Sequence, residues 1–344
     1  MKIFIALNIK ETPYGGSHIF LRTLRNYFRK NDQYTDNSSL ADVILFDSCQ
    51  NIPTVLSLKK KFPEKLFIHR IDGPIQLYNN EKDLRDRITY LTDTLISDAT
   101  IFQSYWSMNK NYMLSLKKNN FHAVIRNASD PSIFNNNAKV QLSNDKKIRI
   151  ISSSWSSNWK KGFDVYKWLD DNLNFNFFEM TFVGNTPVRF SNINHISVVD
   201  SKEISNIIKK HDIYITASHN DPCSNSLIEA LSCGLPAIAR NEGGHPEIIG
   251  KGGELFDQPH EIPTLLNTIA NNYETYQQLI QQPTIDEIGK KYYEFINNIY
   301  QATQLGEYLP KKLTQFSYLK LFLRVFFWRL QSKVVTYFNN VISS

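Results

Sequence analysis

Residues 211–250 read HDIYITASHNDPCSNSLIEALSCGLPAIARNEGGHPEIIG, and two carboxylates in this segment, Asp221 and Glu229, stand eight residues apart. If both were helical they would lie about 12 Å apart along the axis at 1.5 Å per residue, too far for one ligand group to satisfy both. Between them, Ser224, Asn225 and Ser226 fall where a helix should begin. The first N–H groups of a helix have no intrahelical partner and point outward, so they favour an anion. Carboxylates accept from hydroxyls and the amides between them take a phosphate. The ligand so outlined is extended, with hydroxyls at both ends and an anionic middle, which is the shape of a nucleoside diphosphate sugar.

The elements that must hold these groups are legible around them. A buried strand, Ile213–Thr216, runs into a polar turn and then a helix over 224–232, which Gly234 and Pro236 end. Along the whole chain, apolar runs of strand length alternate with helical patterns, as repeated βα units on parallel sheets do. One series comprises 2–7, 43–47, 66–69, 100–103 and 123–125, with a helix-like interval at 18–30. The second comprises 149–153, 180–183, 196–199, 213–216 and 237–239. Between them, 130–147 is rich in Asn, Ser, Asp and Lys without a sustained apolar period. The expectation is an α/β chain with one Rossmann-like domain over 1–130, a linker at 131–147, a second such domain over 148–300 and a helical tail over 301–344. In open parallel sheets ligands bind beyond the carboxyl ends of the strands, so two such domains would share a ligand in the cleft between them.

Further polar groups follow the expected strands. After 149–153 comes Trp155 and then Asn158-Trp159-Lys160-Lys161-Gly162; a fixed cation here would stabilise charge on a departing diphosphate without a metal. After the first strand, Gly15 and Gly16 precede a helix, and glycine lets backbone approach a phosphate closely. His69, Arg70 and Asp72 crowd the end of the third strand; Arg70 and Asp72 could equally pair with each other and hold the loop.

The spacing of Asp221, Glu229, Ala230, Gly234, Pro236, Gly243, Gly244 and Glu247 resembles the donor-binding core of the GT4 family of retaining glycosyltransferases. The resemblance implies the GT-B fold, two Rossmann-like α/β domains facing across a cleft, over roughly residues 1–300. It implies that Asp221 contacts the transferred sugar and Glu229 the ribose hydroxyls. Gly243, Gly244 and Glu247 would complete the donor site with Gly15, Gly16, Ser224, Asn225 and Ser226. It makes Lys161 the diphosphate cation and brings His69 or Asp72 to the reacting sugar. Two positions depart from the family pattern: Asp221 stands where most members have Glu, and Trp155 where many have Arg. The implied activity is transfer of a sugar from a nucleoside diphosphate sugar to a glycan or lipid-linked saccharide, with neither metal nor other cofactor. A non-catalytic nucleotide-sugar-binding subunit is the alternative, and a nucleotide-sugar epimerase a more distant one.

Composition narrows the remainder. The 344 residues include 39 Lys and Arg against 33 Asp and Glu, a net charge of +6. Six bases and no acid lie in 308–344, so the rest of the chain is electroneutral and lacks the basic stripe that nucleic-acid binding requires. Residues 316–338, FSYLKLFLRVFFWRLQSKVVTYF, are apolar and aromatic with four bases, which excludes a transmembrane span. They suit either peripheral contact with anionic lipid or a terminal helix packed back on the body. Cys49, Cys223 and Cys233 are odd in number and widely spaced, which fits a reducing compartment. The opening apolar run, 3–7, is too short for the core of a secretory signal. The expected location is therefore cytoplasmic, with the tail able to rest on the inner membrane face.

Overall fold

The computed structural model describes residues 1–9, 16–80, 83–142 and 147–342, with side chains to Trp328. Five strands, β1 (Ile3–Ile5), β2 (Val43–Asp47), β3 (Leu66–Ile71), β4 (Ala99–Phe102) and β5 (Phe121–Val124), form a parallel sheet in that order. Helices α1 (Gly16–Lys30), α2 (Ile52–Lys61), α3 (Ile75–Tyr78), α4 (Arg85–Ile96) and α5 (Tyr105–Met113) cover it. Strands β2, β3 and β4 are buried at every position, which is why they read as unbroken apolar runs without alternation.

The second sheet holds β6 (Ile148–Ser154), β7 (Phe178–Gly184), β8 (Asn194–Ile196), β9 (Ile213–Thr216), β10 (Ala237–Arg240) and β11 (Gly253–Phe256), all parallel, in the order β11-β10-β9-β6-β7-β8. Its helices are α6 (Phe163–Asn172), α7 (Ser201–Ile208), α8 (Asn225–Ser232), α9 (His245–Ile249), α10 (Ile262–Asn271) and α11 (Tyr273–Gln278). The expected α/β class and the two parallel sheets are present. The short edge strand β11 was not foreseen, because GELF is four residues with a glycine and a charge.

Each sheet has a point where chain progress reverses. In the second, β6 to β8 run one way and β9 to β11 the other, so the reversal lies between β6 and β9. In the first, the segment after α1 touches β1 through a parallel Ile3–Tyr34 bridge, on the edge away from β2. The chain then returns to β2, so α1 covers one face with Phe20, Leu21 and Leu24, while α2 and α4 cover the other with Val55, Leu56 and Ile88. A crevice opens at such a reversal, because the loops on its two sides leave toward opposite faces.

Packing departs from the expected domain limits at two places. Helix α12 (Ile285–Gln304) starts at a Thr284–Glu287 capping box and lays Ile285, Ile288, Tyr292, Ile296 and Ile299 into the core of the first sheet, beside α1. Residues 285–300, expected within the second domain, thus belong by packing to the first. The expected linker is anchored also: Phe134 is buried in the second domain's core, and Ser205 Oγ donates to the Ile133 carbonyl at 2.6 Å. The tail forms α13 (Gln315–Ile342), which rests on α2 and α4.

The seam of α12 generates a test. Ile296→Ala should lower stability by about 2–5 kcal/mol through lost burial and the cavity left behind. Lys290→Ala, at an exposed position of the same helix, should stay within about 0.5 kcal/mol. Urea denaturation midpoints distinguish the two; equal values would show that α12 is not part of the first domain's core.

Candidate active site in the cleft

The two reversal points face one another across a cavity of about 350 Å³. The N-terminal wall carries Gly16 and Ser17 at the start of α1, Asp72 after β3, Gln103 after β4 and Asn127 at the domain exit. The opposite wall carries Trp155 and Lys161 after β6, Asp221 after β9, and Ser224, Asn225, Ser226 and Glu229 on α8.

Lys161 is placed by its neighbours. Asn158 Oδ1 accepts from the Lys160 N–H at 2.9 Å and closes a tight 3-10 turn over Trp159–Lys161. Gly162 ends that turn at φ +90°, and a Cβ there would lie 2.4 Å from the Ala217 carbonyl oxygen, so the residue after Lys161 must be glycine. The Lys161 Nζ donates to Asp221 Oδ2 at 3.0 Å. Burial alone would push the Asp221 carboxyl up, but the Lys161 charge and the hydrogen bonds from Lys161 and the Cys223 N–H outweigh it and hold the group below the usual carboxylate range. Asp221 is therefore an anion at neutral pH.

The expected glycine pair lies beneath this loop and does not line the cavity. Gly243 has φ +67°, and a Cβ on it would sit 2.3 Å from the Asp221 carbonyl oxygen, while the Gly244 N–H donates to that oxygen at 2.8 Å. The pair shapes the Asp221 turn, and the structure places it behind the cavity wall. Gly15 falls outside the described residues.

Ser224 caps α8 through its Oγ, and Asn225 and Ser226 open the helix toward the cavity. The start of α1 abuts it: a Cβ on Gly16 would lie 2.4 Å from Asn225 Nδ2. Two helix N-termini thus converge on one space and bring positive potential from both domains. One turn further, Glu229 has no hydrogen-bond partner among the described residues, and burial pushes its carboxyl up to about 8. It is neutral at pH 7, able to donate as well as accept against vicinal hydroxyls.

Beneath the N-terminal wall lies a polar network that the sequence only hinted at. Arg70 is wholly buried; its Nη1 donates to Asp47 and, at 3.2 Å, to Asp72 Oδ1, and its Nη2 donates to Asn127 Oδ1 at 2.9 Å. Asn127 Nδ2 then crosses the cleft to Asn225 Oδ1 at 2.8 Å. Asp72 also accepts from Gln103 and from Ser17 Oγ. Burial, and then the nearby Asp47 charge, raise the Asp72 carboxyl to about 6. The Arg70–Asp72 pair is therefore real, and Asp72 still reaches the cavity.

Two expected site residues are elsewhere. His69 is fully buried and stacked on Phe46, with Nδ1 against Asp93 at 3.1 Å and Nε2 against the Ser48 carbonyl at 3.0 Å. Strand β3 continues two residues beyond it, so His69 points into the α4 face and cannot touch a ligand. Glu247 accepts from the Tyr105 and Trp106 N–H groups at 2.8 Å each, capping α5 of the other domain. It joins the two halves and is not among the residues that line the cavity. Lys160 also serves the seam, its Nζ donating to the Leu77 carbonyl at 2.7 Å.

Residues 191–284 match the family model described as Glycosyl transferases group 1. Over 127 residues the chain is 28% identical to a Thermosipho melanesiensis protein named "Probable sucrose-phosphate synthase", covering 34% of this chain and 30% of that protein. Over 95 residues it is 30% identical to the sulfoquinovosyl transferase SQD2 of Arabidopsis thaliana, covering 26% of this chain and 18% of that one. The chain thus aligns with less than a third of the length of these curated relatives. In fold it is similar to the Anabaena HepE structure in complex with UDP-glucose, with a TM-score of 0.61 and 14% identity over 90% of this chain and 100% of that one. The likeness read from Asp221 to Glu247 is thereby borne out: this chain carries a Glycosyl transferases group 1 segment within a two-domain GT-B fold.

Proposed function

We propose that this protein is a retaining glycosyltransferase that moves a sugar from a nucleoside diphosphate sugar to a glycan or lipid-linked saccharide. The observation that carries the reading is the convergence on one cavity of the Lys161–Asp221 pair and the N-termini of α1 and α8. A diphosphate fits the helix ends and Lys161, the ribose hydroxyls fit Glu229, and the transferred sugar fits between Asp221 and Asp72. The solved Anabaena relative, of the same fold, holds UDP-glucose.

In this reading the anomeric carbon–oxygen bond to the phosphate breaks as the bond to the acceptor oxygen forms on the same face. The acceptor's proton passes to the departing phosphate oxygen. Lys161 and the helix amides stabilise the charge that builds on the diphosphate, and the carboxylates hold the sugar's hydroxyls in place. Charge stabilisation by these groups needs no metal.

Release of free nucleoside diphosphate from UDP-, GDP- and ADP-sugars, with a broad acceptor mixture, tests the activity. One donor should be consumed, and Lys161→Ala should lower that turnover by about 10²–10³-fold, as loss of a charge-stabilising donor does. A donor that raises the unfolding temperature yet is never consumed would overturn the catalytic reading in favour of a non-catalytic binding subunit.

Glu229 supplies an independent check. Its carboxyl is raised from 4.5 to about 8, so the folded chain holds that proton more tightly than the unfolded chain. The group's contribution to stability is complete below pH 4.5 and is lost as pH rises through 8. Glu229→Gln, which mimics the neutral form, should match the wild type at low pH and melt higher above pH 8 by roughly 5–7 °C. A melting difference that does not change with pH would contradict the burial of this carboxyl.

A further inference from the structure

The tail helix α13 is apolar on two separate faces. One face is used: Leu321 and Val325 are buried, with Tyr318 and Trp328 beside them, against α2 and α4. At 100° per residue, Phe322, Phe326, Leu319, Leu323, Phe316 and Phe327 form a second arc on the far side of the helix. All six are exposed, from 41% to 75%. Lys320 and Arg324, also exposed, border this arc where it meets the docked face. Having two apolar faces explains why the sequence shows no clean amphipathic period here. Tyr318, Phe322 and Phe326 stack at 6.1 and 6.5 Å, and Lys60 of α2 lies 5.2 Å above the Tyr318 ring, adding a base from the body.

We infer that the outer face of α13 docks the protein on an anionic lipid surface. Six large apolar side chains in water form the kind of patch that marks an interaction site. The charge selects the occupant. Residues 308–344 contain no acid, so a second copy of this helix would set bases against bases, whereas anionic headgroups complement Lys320 and Arg324. Phenylalanine and leucine can then enter the headgroup boundary while the helix lies in the plane of the bilayer. No helix among the described residues is long and apolar enough to cross a membrane, in keeping with a surface contact. This inference does not rest on the reading of the cavity, although a lipid-linked acceptor would be presented at such a surface.

Co-sedimentation of the full chain with vesicles tests it. Binding is expected to phosphatidylcholine vesicles containing phosphatidylglycerol, to weaken in high salt, and to be much lower on phosphatidylcholine alone. Lys320→Glu with Arg324→Glu should reduce binding to anionic vesicles by roughly tenfold or more. Phe322→Ser with Phe326→Ser should abolish it. Because these side chains lie away from Leu321 and Val325, both double variants should keep the wild-type unfolding temperature, which separates loss of binding from loss of folding. Equal binding to both vesicle types, or a concentration-dependent dimer that Phe322→Ser with Phe326→Ser disrupts while no vesicle binds, would overturn the proposal.

Discussion

A guanidinium buried without solvent must be matched by anions and acceptors, and Arg70 places that demand at the centre of this molecule. Its partners come from three separate strand ends: Asp47 from β2, Asp72 from the loop after β3, and Asn127 from the exit of the first domain. Satisfying Arg70 therefore fixes the loops that floor the cavity. Asn127 carries the constraint across the cleft to Asn225 at the start of α8. Removing one partner from such a pair typically costs about 3–5 kcal/mol, because the remaining charge is stranded. The first wall of the site is thus held by a network whose outer members, Asp72, Gln103 and Asn127, themselves line the cavity.

The rest of the site follows from sheet topology. The second sheet reverses its strand order between β6 and β9 and the first at β1, through the Tyr34 bridge on its far edge; at each reversal the flanking loops diverge and leave helix N-termini uncovered. Facing the two reversals puts the starts of α1 and α8 against a single space, where Lys161 adds a full charge to the partial charges of the amides. Ion pairing keeps Asp221 ionised beside Lys161, while burial raises the Glu229 carboxyl one turn into α8, eight residues further on. One short segment therefore presents an anion and an uncharged carboxyl to different parts of an extended ligand. On the outer side, Glu247 capping α5, Ser104 bonding the Pro222 carbonyl at 2.7 Å and Lys160 reaching Leu77 hold the walls together.

Much of this was legible in the sequence because the signals are local. Buried parallel strands announce themselves as apolar runs, and β2 and β9 fall at their expected residues. Lys161, Asp221 and the start of α8, singled out by their motif spacing, do line one cavity, because each follows a parallel strand at its carboxyl end. The failures share a cause, which is that side-chain direction depends on where a strand or helix ends in three dimensions. His69 was placed at a strand terminus, but β3 runs on to Ile71, and alternation then turns His69 inward. Glu247 was expected in the donor site, yet it sits on α9 and its partner is the N-terminus of a helix 141 residues earlier, which no spacing rule reveals. Gly243 and Gly244 were expected in the donor site; the constraint the structure shows on Gly243 is its close approach to the backbone of Asp221. Helix α12 carries a clean apolar stripe that says it packs, without saying on which domain.

The central claim is that two helix ends from different domains share one diphosphate. Amide hydrogen exchange, recorded with and without a saturating nucleoside diphosphate, tests this most directly. The account predicts slowed exchange at the start of α8, residues 225–226, and at the start of α1, residues 16–17, together and at the same ligand concentration. Protection confined to the second domain, or protection at neither helix end despite measurable binding, would contradict it.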